Sequence, residues 1–363
     1  MFTHLPNPLW PLVPSVVLLV CFTASIRRDP RRLRNGPYLF AGIWLGALAG
    51  MFWHLSMDVA WNALVLLTTA TAVAPPLIFA FRALLYAALV PFHPPEYPFM
   101  PIAGMLAGLC SSAVCVAWSA AMVTMVFAPR VFYAVVGSPA LMTALAVAGV
   151  PALGLSVPFV GMRLYARIYA GRSVDPGGYS VMLVQGRTVD GDRLDEWLPG
   201  VRPAKGDPLL TARLDRAAEL WIRGGGAALL AVGGVRDDDG SDDTIHMRDL
   251  LTARGVPKSA IAWLGHGTLA GNLEAFEKSG ALGQSDARTA PGVLLIVDGC
   301  DMLRASAVAM GMDLPSAAVA APVPFGRRSI RMIREYSAVV REHWVAFGAP
   351  MLVAVMAMAA VVG

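Results

Sequence analysis

The sequence predicts a multi-pass α-helical membrane region joined to a soluble, three-layer α/β domain with a mostly parallel sheet of about five strands. Three observations predict it. The chain has 363 residues, of which 56% are hydrophobic and 15% charged, whereas soluble domains usually carry about 25% charged residues. The charge is unevenly placed: between Arg34 and Arg163 the charged side chains are Asp58, Arg82, Glu96 and Arg130 alone. From Tyr179 onward, short β-branched runs alternate with amphipathic stretches. Lipid is therefore the expected solvent of the first half and water that of most of the second. The expected division is 1–172 for a transmembrane region of about five helices, 173–344 for the α/β domain and 345–363 for a C-terminal transmembrane helix.

A helix crosses the hydrocarbon core with about 20 apolar residues. Five stretches before the α/β domain meet that need, 10–26, 37–55, 59–90, 100–128 and 131–162, and 345–363 is a sixth. The first precedes a run of arginines, the reverse of a cleavable signal peptide. The third would span about 48 Å as a straight helix, against a core of about 30 Å. It holds Pro75-Pro76 and then Arg82, so it is either one kinked, tilted helix or two short passes. Arg82 itself has two readings, a functional intramembrane charge or, more commonly, a side chain snorkelling from a helix end. Small residues such as Ala103-Gly104 and Ser111-Ser112 allow close helix packing in lipid.

Arginine sets the expected sidedness. Arg27, Arg28, Arg31, Arg32 and Arg34 follow the first stretch, and Arg163, Arg167 and Arg172 follow the fifth. Cytoplasmic loops collect arginine, so an odd number of crossings, five, precedes the α/β domain. The expectation is an integral protein of the inner or plasma membrane with that domain in the cytoplasm. The net charge of +4 reads as orientation signal and headgroup contact. No aromatic-interleaved basic stripe is present, so the lipid bilayer is an expected partner and nucleic acid is not. Cys21, Cys110 and Cys115 lie in apolar segments and Cys300 stands alone, a pattern with neither a disulfide framework nor paired metal-ligand spacing. No metal is expected, and neither a cofactor nor a protein partner can be named.

In the α/β domain, Ser180–Val184, Ala227–Val232, Ala260–Leu264, Val293–Val297 and Ala317–Val323 read as strands. Asp207–Arg223, Asp242–Arg254, Ala270–Ser279, Met302–Met310 and Arg328–His343 read as the helices between and after them. That alternation implies a Rossmann-like parallel sheet covered on both faces, whose ligands sit beyond the carboxyl ends of the strands. The candidate site residues follow from those ends. Gly186 follows the first strand and Gly233-Gly234 the second; they are either a close approach of backbone to an anion or simple turns. Asp298 closes the fourth strand, with Asp301 and Arg304 after it. The two aspartates either cap the next helix or hold a ligand hydroxyl or a cation. The acidic run 237–243 lacks the ligand spacing of a calcium loop and reads as a solvated loop with a helix N-cap. No G-x-S-x-G elbow, P-loop or G-x-G-x-x-G fingerprint occurs.

Over residues 179–343 an ordered set of short motifs resembles the YdcF-like family (SanA/ElyC type) of bacterial envelope-associated membrane proteins. Arg213-Leu214, Ala217-Ala218, Leu220 and Gly224 resemble its arginine helix. Val232-Gly233-Gly234 resembles its S-G-G strand end, Asp243–Met247 its E-A-x-x-M helix start, Gly255-Val256-Pro257 its G-V-P turn and Arg334-Glu335-Tyr336 its R-E-Y. Of the T-x-E-N signature only Asn272 remains, and Asp301 replaces the histidine of T-S-x-x-H-x-x-R-A, in which Arg304 is retained. The resemblance thus adds Asp243, Asn272, Arg334 and Glu335 to the candidate site and implies a role in the cell envelope. Its lost carboxylates and imidazole remove the obvious general acid/base groups. The leading expectation is a membrane-anchored domain binding a small anionic or nucleotide-like ligand. The alternatives are a hydrolase or transferase acting on a cell-wall or lipid-linked precursor through Asp298 or Asp301, and a non-catalytic scaffold that docks a cytoplasmic partner.

Overall fold

A computed structural model of the chain describes residues 9–32, 35–54, 57–89, 99–185, 208–226, 228–233, 243–264, 269–278, 292–323, 325–345, 348, 351, 352 and 356. The chain divides into two compact units: Met1–His93, Pro101–Tyr165 and Tyr336–Gly363 form one, and Pro94–Met100 with Ala166–Glu335 the other.

The first unit is built on α1 (Leu9–Arg28), α2 (Asn35–His54), α3 (Met57–Leu89), α4 (Phe99–Phe127), α5 (Pro129–Val136) and α6 (Pro139–Ala170). Among the described residues, Val65–Leu89, Ile102–Phe127 and Ala140–Ala170 are long and apolar enough to cross a membrane. The ambiguous stretch 59–90 lies within one unbroken helix, α3, which runs through Pro75 and Pro76. Prolines in a helix interior strip hydrogen-bond partners from the carbonyls four residues earlier, here those of Thr71 and Ala72, and a lipid solvent would offer no substitute. A side chain of α4 supplies one donor instead, Trp118 Nε1 to Ala72 O at 3.1 Å, and Ser119 and Ser112 of α4 add bonds to Val73 O at 3.4 Å and Ala80 O at 2.9 Å. Glycines at four-residue spacing let α4 come close enough. A Cβ on Gly104 would lie 2.8 Å from Tyr86 Oη, and one on Gly108 2.8 Å from Ala83 O, the small-residue crossing expected of helices in lipid.

The single helix expected over 131–162 is two helices. Gly137-Ser138 separates α5 from α6, Pro139 opens α6, and Ser138 Oγ accepts from Leu141 N at 3.3 Å. This is a proline-led helix start with a serine cap, and the Ser-Pro pair was its signal in the sequence. The turn between α1 and α2 is held by buried polar contacts. Asn35 Nδ2 donates to Tyr165 Oη at 2.9 Å, and Tyr165 donates to Pro30 O.

The second unit carries β1 (Val181–Gln185), α7 (Pro208–Arg223), β2 (Leu229–Gly233), α8 (Asp243–Ala253), β3 (Ile261–Trp263), α9 (Leu269–Lys278), β4 (Val293–Asp298), α10 (Met302–Gly311), β5 (Ser316–Ala321) and the start of α11 (Phe325–Glu342). Each lies within a few residues of its sequence-based expectation. The five strands are all parallel, in the order β3-β2-β1-β4-β5. Residues of β1 and β4 are buried without alternation, which is why both read as continuous apolar runs. Leu210, Leu214, Ala217, Ala218 and Trp221 of α7 pack on Met182, Val184, Leu230 and Val232 at the spacing of one helix face. Gly255, at φ +92°, closes α8 in the left-handed conformation; Val256 N reaches back to Leu251 O at 3.1 Å, the hydrogen bond of a glycine-terminated helix.

Candidate functional site: a buried ion cluster at the sheet reversal

Strand order reverses between β1 and β4, because the chain leaves β1 toward β2 and β3 and returns on the other side of β1. In open α/β sheets this is where ligands bind, at the carboxyl ends of the strands. Here those ends are Gln185 and Asp298. Asp298 is 0% exposed. Arg331 of α11 donates from Nη2 to Asp298 Oδ2, and the same nitrogen lies 3.2 Å from Asp301 Oδ2. Arg213 of α7 places Nε 3.3 Å from Asp298 Oδ1 and donates from Nη1 to the carbonyl of Gln185. Arg304 Nη1 lies 3.6 Å from Glu335 Oε2. Three guanidinium groups and three carboxylates thus share one buried patch, with formal charges that cancel.

Asp301 occupies the N-cap position of α10, yet its side chain makes no capping hydrogen bond; it turns to Arg331 instead. Among the described residues, Oδ1 of Asp298, Oδ1 of Asp301 and Nε of Arg331 are buried without a hydrogen-bond partner. Burial pushes the Asp301 carboxyl above its ordinary pKa and the charge of Asp298 adds to this, while Arg331, Arg213 and Arg334 pull the other way. Burial also works against the Arg331 guanidinium, but Asp301, Asp298 and Glu335 outweigh it and hold its pKa above the usual arginine value. The cluster therefore pairs a fixed cation with a carboxyl poised nearer to protonation than an exposed aspartate.

A polar contact flanks the cluster across the next strand end. Gln185 pairs in register with Gly233, and Asn272 of α9 donates from Nδ2 to Gln185 Oε1 at 3.1 Å. A Cβ on Gly233 would sit 2.1 Å from Asn272 Nδ2. The room that glycine leaves at this strand end is filled by the Asn272 amide, so Gly233 is needed for the packing of Asn272.

The structure brings Gly233, Asn272, Asp298, Asp301, Arg304 and Glu335 to the carboxyl edge of the sheet. Arg334 is placed differently: its side chain is exposed on the outer face of α11, and it reaches Asp301 only through its field. Gly186 and Gly234 lie outside the described residues, as does the acidic run before Asp243; Asp243 opens α8, with its side chain outside the described set. Sequence reasoning did not assign Gln185, Arg213 or Arg331 to the site. Arg331 left one signal, its spacing of four from Glu335, which puts both on one helix face. Among the described residues no group of three or more His, Cys, Asp and Glu side chains is arranged to hold a metal ion. No family model, curated protein or solved structure matches this chain.

Proposed function

We propose that this is a membrane-anchored α/β binding protein whose sheet edge at β1 and β4 takes a small anionic, nucleotide-like ligand in the service of the cell envelope. The envelope role comes from the YdcF-like resemblance. The ligand reading is carried by one observation, the gathering of six buried ionisable side chains at the sheet reversal. Buried ion pairs seldom stabilise a fold more than apolar packing would. Their concentration in the crevice position of the fold, with a perturbed carboxyl among them, is the signature of a functional site. Arginine binds carboxylate or phosphate with two parallel hydrogen bonds. Because the cluster is charge-balanced, a bound anion needs a carboxylate to yield, and Asp301 is the group whose raised pKa lets it do so by taking a proton.

Thermal unfolding of the full chain in detergent, with a panel of nucleotides, pyrophosphate and inorganic phosphate, tests the reading. A true ligand at a hundredfold its dissociation constant should stabilise by about 2.7 kcal/mol. The absence of stabilisation across the panel would reject an anionic ligand of this class.

A second reading is a hydrolase or transferase acting on a cell-wall or lipid-linked precursor. It is favoured by the raised pKa of the buried Asp301 carboxyl beside Asp298; a carboxyl held nearer to protonation is suited to general-acid work. Turnover of a ligand found in the panel, abolished in Asp301→Asn with binding retained, would select this reading.

A further inference from the structure

One face of α1 is occupied, and the other is open among the described residues. On the occupied face Ser15 donates its hydroxyl to Gly42 O of α2 at 2.8 Å, and the Phe22 ring meets the Tyr165 ring edge-on at a centroid distance of 6.3 Å. A Cβ on Gly42 would lie 2.8 Å from Leu19 Cδ2, so α1 and α2 pack closely there. At 100° per residue, Val13, Val16, Val17, Val20, Ala24 and Arg27 fall within one arc of about 100° on the other side. The four valines are 50–59% exposed, and Ala24 and Arg27 are exposed with them. Val16, Leu19, Val20, Thr23, Ala24 and Arg27 line a groove along this side. The Thr23 hydroxyl is bonded to Leu19 O at 2.8 Å, which leaves the groove apolar over 16–24.

The groove ends in charge. Residues 5–26 carry no charged side chain, and five arginines and one aspartate follow over 27–34. Asp29 holds Arg31 through both carboxylate oxygens, accepting from Nε at 2.9 Å and from Nη2 at 3.1 Å. Arg32 acts on the same carboxylate through its field. Arg27 and Arg28 are exposed, and among the described residues neither is paired with an acid. Arg28 lies at the edge of the valine arc, about 100° from Arg27. Two uncompensated guanidinium groups therefore stand at one end of an apolar track. From residue 16 to residue 27 the helix rises about 16 Å, close to half of a hydrocarbon core of about 30 Å. A lipid chain lying along the track would span one leaflet and bring its headgroup to the two arginines, where anionic lipid is attracted. Arginines at a helix C-terminus also favour its dipole, a role that moves stability and not lipid preference.

We propose that this track binds one anionic phospholipid, with an acyl chain along residues 16–24 and the phosphate held by Arg27 and Arg28. The site lies wholly within the first unit. It rests on that unit's residence in a bilayer and is separate from the ligand at the sheet edge. Native mass spectrometry of the full chain in mild detergent, given equal phosphatidylglycerol and phosphatidylcholine, tests it. Wild type is expected to retain phosphatidylglycerol in excess. R27Q and R28Q should each lower that ratio by about fivefold, the effect of one arginine near anionic lipid, and R27K should keep it. Each glutamine variant leaves four arginines in the run to hold the orientation signal. V20W fills the groove and should lower retention of both lipids. R248Q removes an exposed arginine of α8 and should leave the ratio unchanged. An unchanged ratio in R27Q or R28Q, unchanged retention in V20W, or an equal loss in R248Q overturns the proposal. So does a dimer that retains no phosphatidylglycerol, which would mean a second copy seated on the valine face.

Discussion

Trp118 donates its indole Nε1–H to the carbonyl oxygen of Ala72 at 3.1 Å, and Ala72 is the residue whose helical partner Pro76 removes. A tryptophan on α4 thereby restores what a proline took from α3. The contact needs a close approach on its other side as well, since a Cβ on Gly149 of α6 would lie 2.3 Å from the Trp118 ring. Sequence length arithmetic left open whether 59–90 is one helix or two because it counts residues and cannot see a donor from a neighbouring helix.

This pairing predicts a coupling. Trp118→Phe should destabilise the folded protein by about 1 kcal/mol, in the range of polar contacts between helices in lipid. Pro76→Ala returns the missing N–H to α3, so Trp118→Phe should cost measurably less in that background. A double-mutant cycle on unfolding of the purified chain in bicelles reads the difference; equal costs in both backgrounds would mean that the indole bond contributes nothing.

Gly233 and Asn272 should also be coupled. Gly233→Ala forces the Asn272 amide away from Gln185, and a displacement of this kind in a tight core costs about 1–3 kcal/mol. In an Asn272→Ala background the clash is gone and the added cost should fall below about 1 kcal/mol. Chemical denaturation of the four proteins decides it.

Arg331 and Arg334 should behave oppositely. Arg331→Met removes the cation that Asp298 and Asp301 share and leaves Arg213 beside Asp298 alone, and removing one partner of a buried pair costs about 3–5 kcal/mol. Arg334→Met changes an exposed side chain and should stay within about 0.5 kcal/mol. Similar losses in the two variants would contradict the burial of one and the exposure of the other.

Asp301 predicts a pH dependence with a definite sign. Its folded pKa is raised above the ordinary value of 3.8, so between those two values the folded state binds more protons than the unfolded one. Stability from this group therefore grows as pH falls through that window and is lost as pH rises past the folded value. Comparing wild type with Asp301→Asn isolates the effect, because other carboxylates are common to both. The wild type should lose stability relative to the variant as pH climbs from 3.8 toward neutrality, and parallel curves would refute the raised value.

The topology expected from the arginine clusters remains open to direct measurement. A reporter fused after residue 175 should be cytoplasmic and one after residue 363 external, as five crossings before the α/β domain and a sixth over 345–363 require. An external signal at residue 175 would reverse the assignment.

Much of the α/β domain was legible in the sequence because its strands are buried on both faces. A run such as Val293–Val297 is apolar throughout and bounded by Pro291-Gly292 on one side and Asp298-Gly299 on the other, which marks a parallel strand without any alternation to decipher. The site was legible in part. Asp298 and Asp301 stand out at a strand end, but the choice among the arginines of α11 depends on which side of that helix meets the sheet. Arg331 and Arg334 are three residues apart, and the apolar positions around them cover so wide an arc that the pattern selects neither. Gln185 went unnoticed for a different reason: a polar residue ending an apolar strand looks like the start of solvent, and only the neighbouring Asn272 shows that it is interior.

The sheet order has a consequence for how the chain is assembled. β1 is the first strand to be synthesised and the middle strand of the finished sheet, and its partner β4 follows about 110 residues later. At ordinary translation speeds that interval is on the order of ten seconds. Throughout it, one edge of an apolar strand stands open beside β2 with no native neighbour yet made. A chain built this way depends on whatever shields that edge while the ribosome is still at work, and its yield should respond to translation speed between β2 and β4 more than to any substitution on the finished surface.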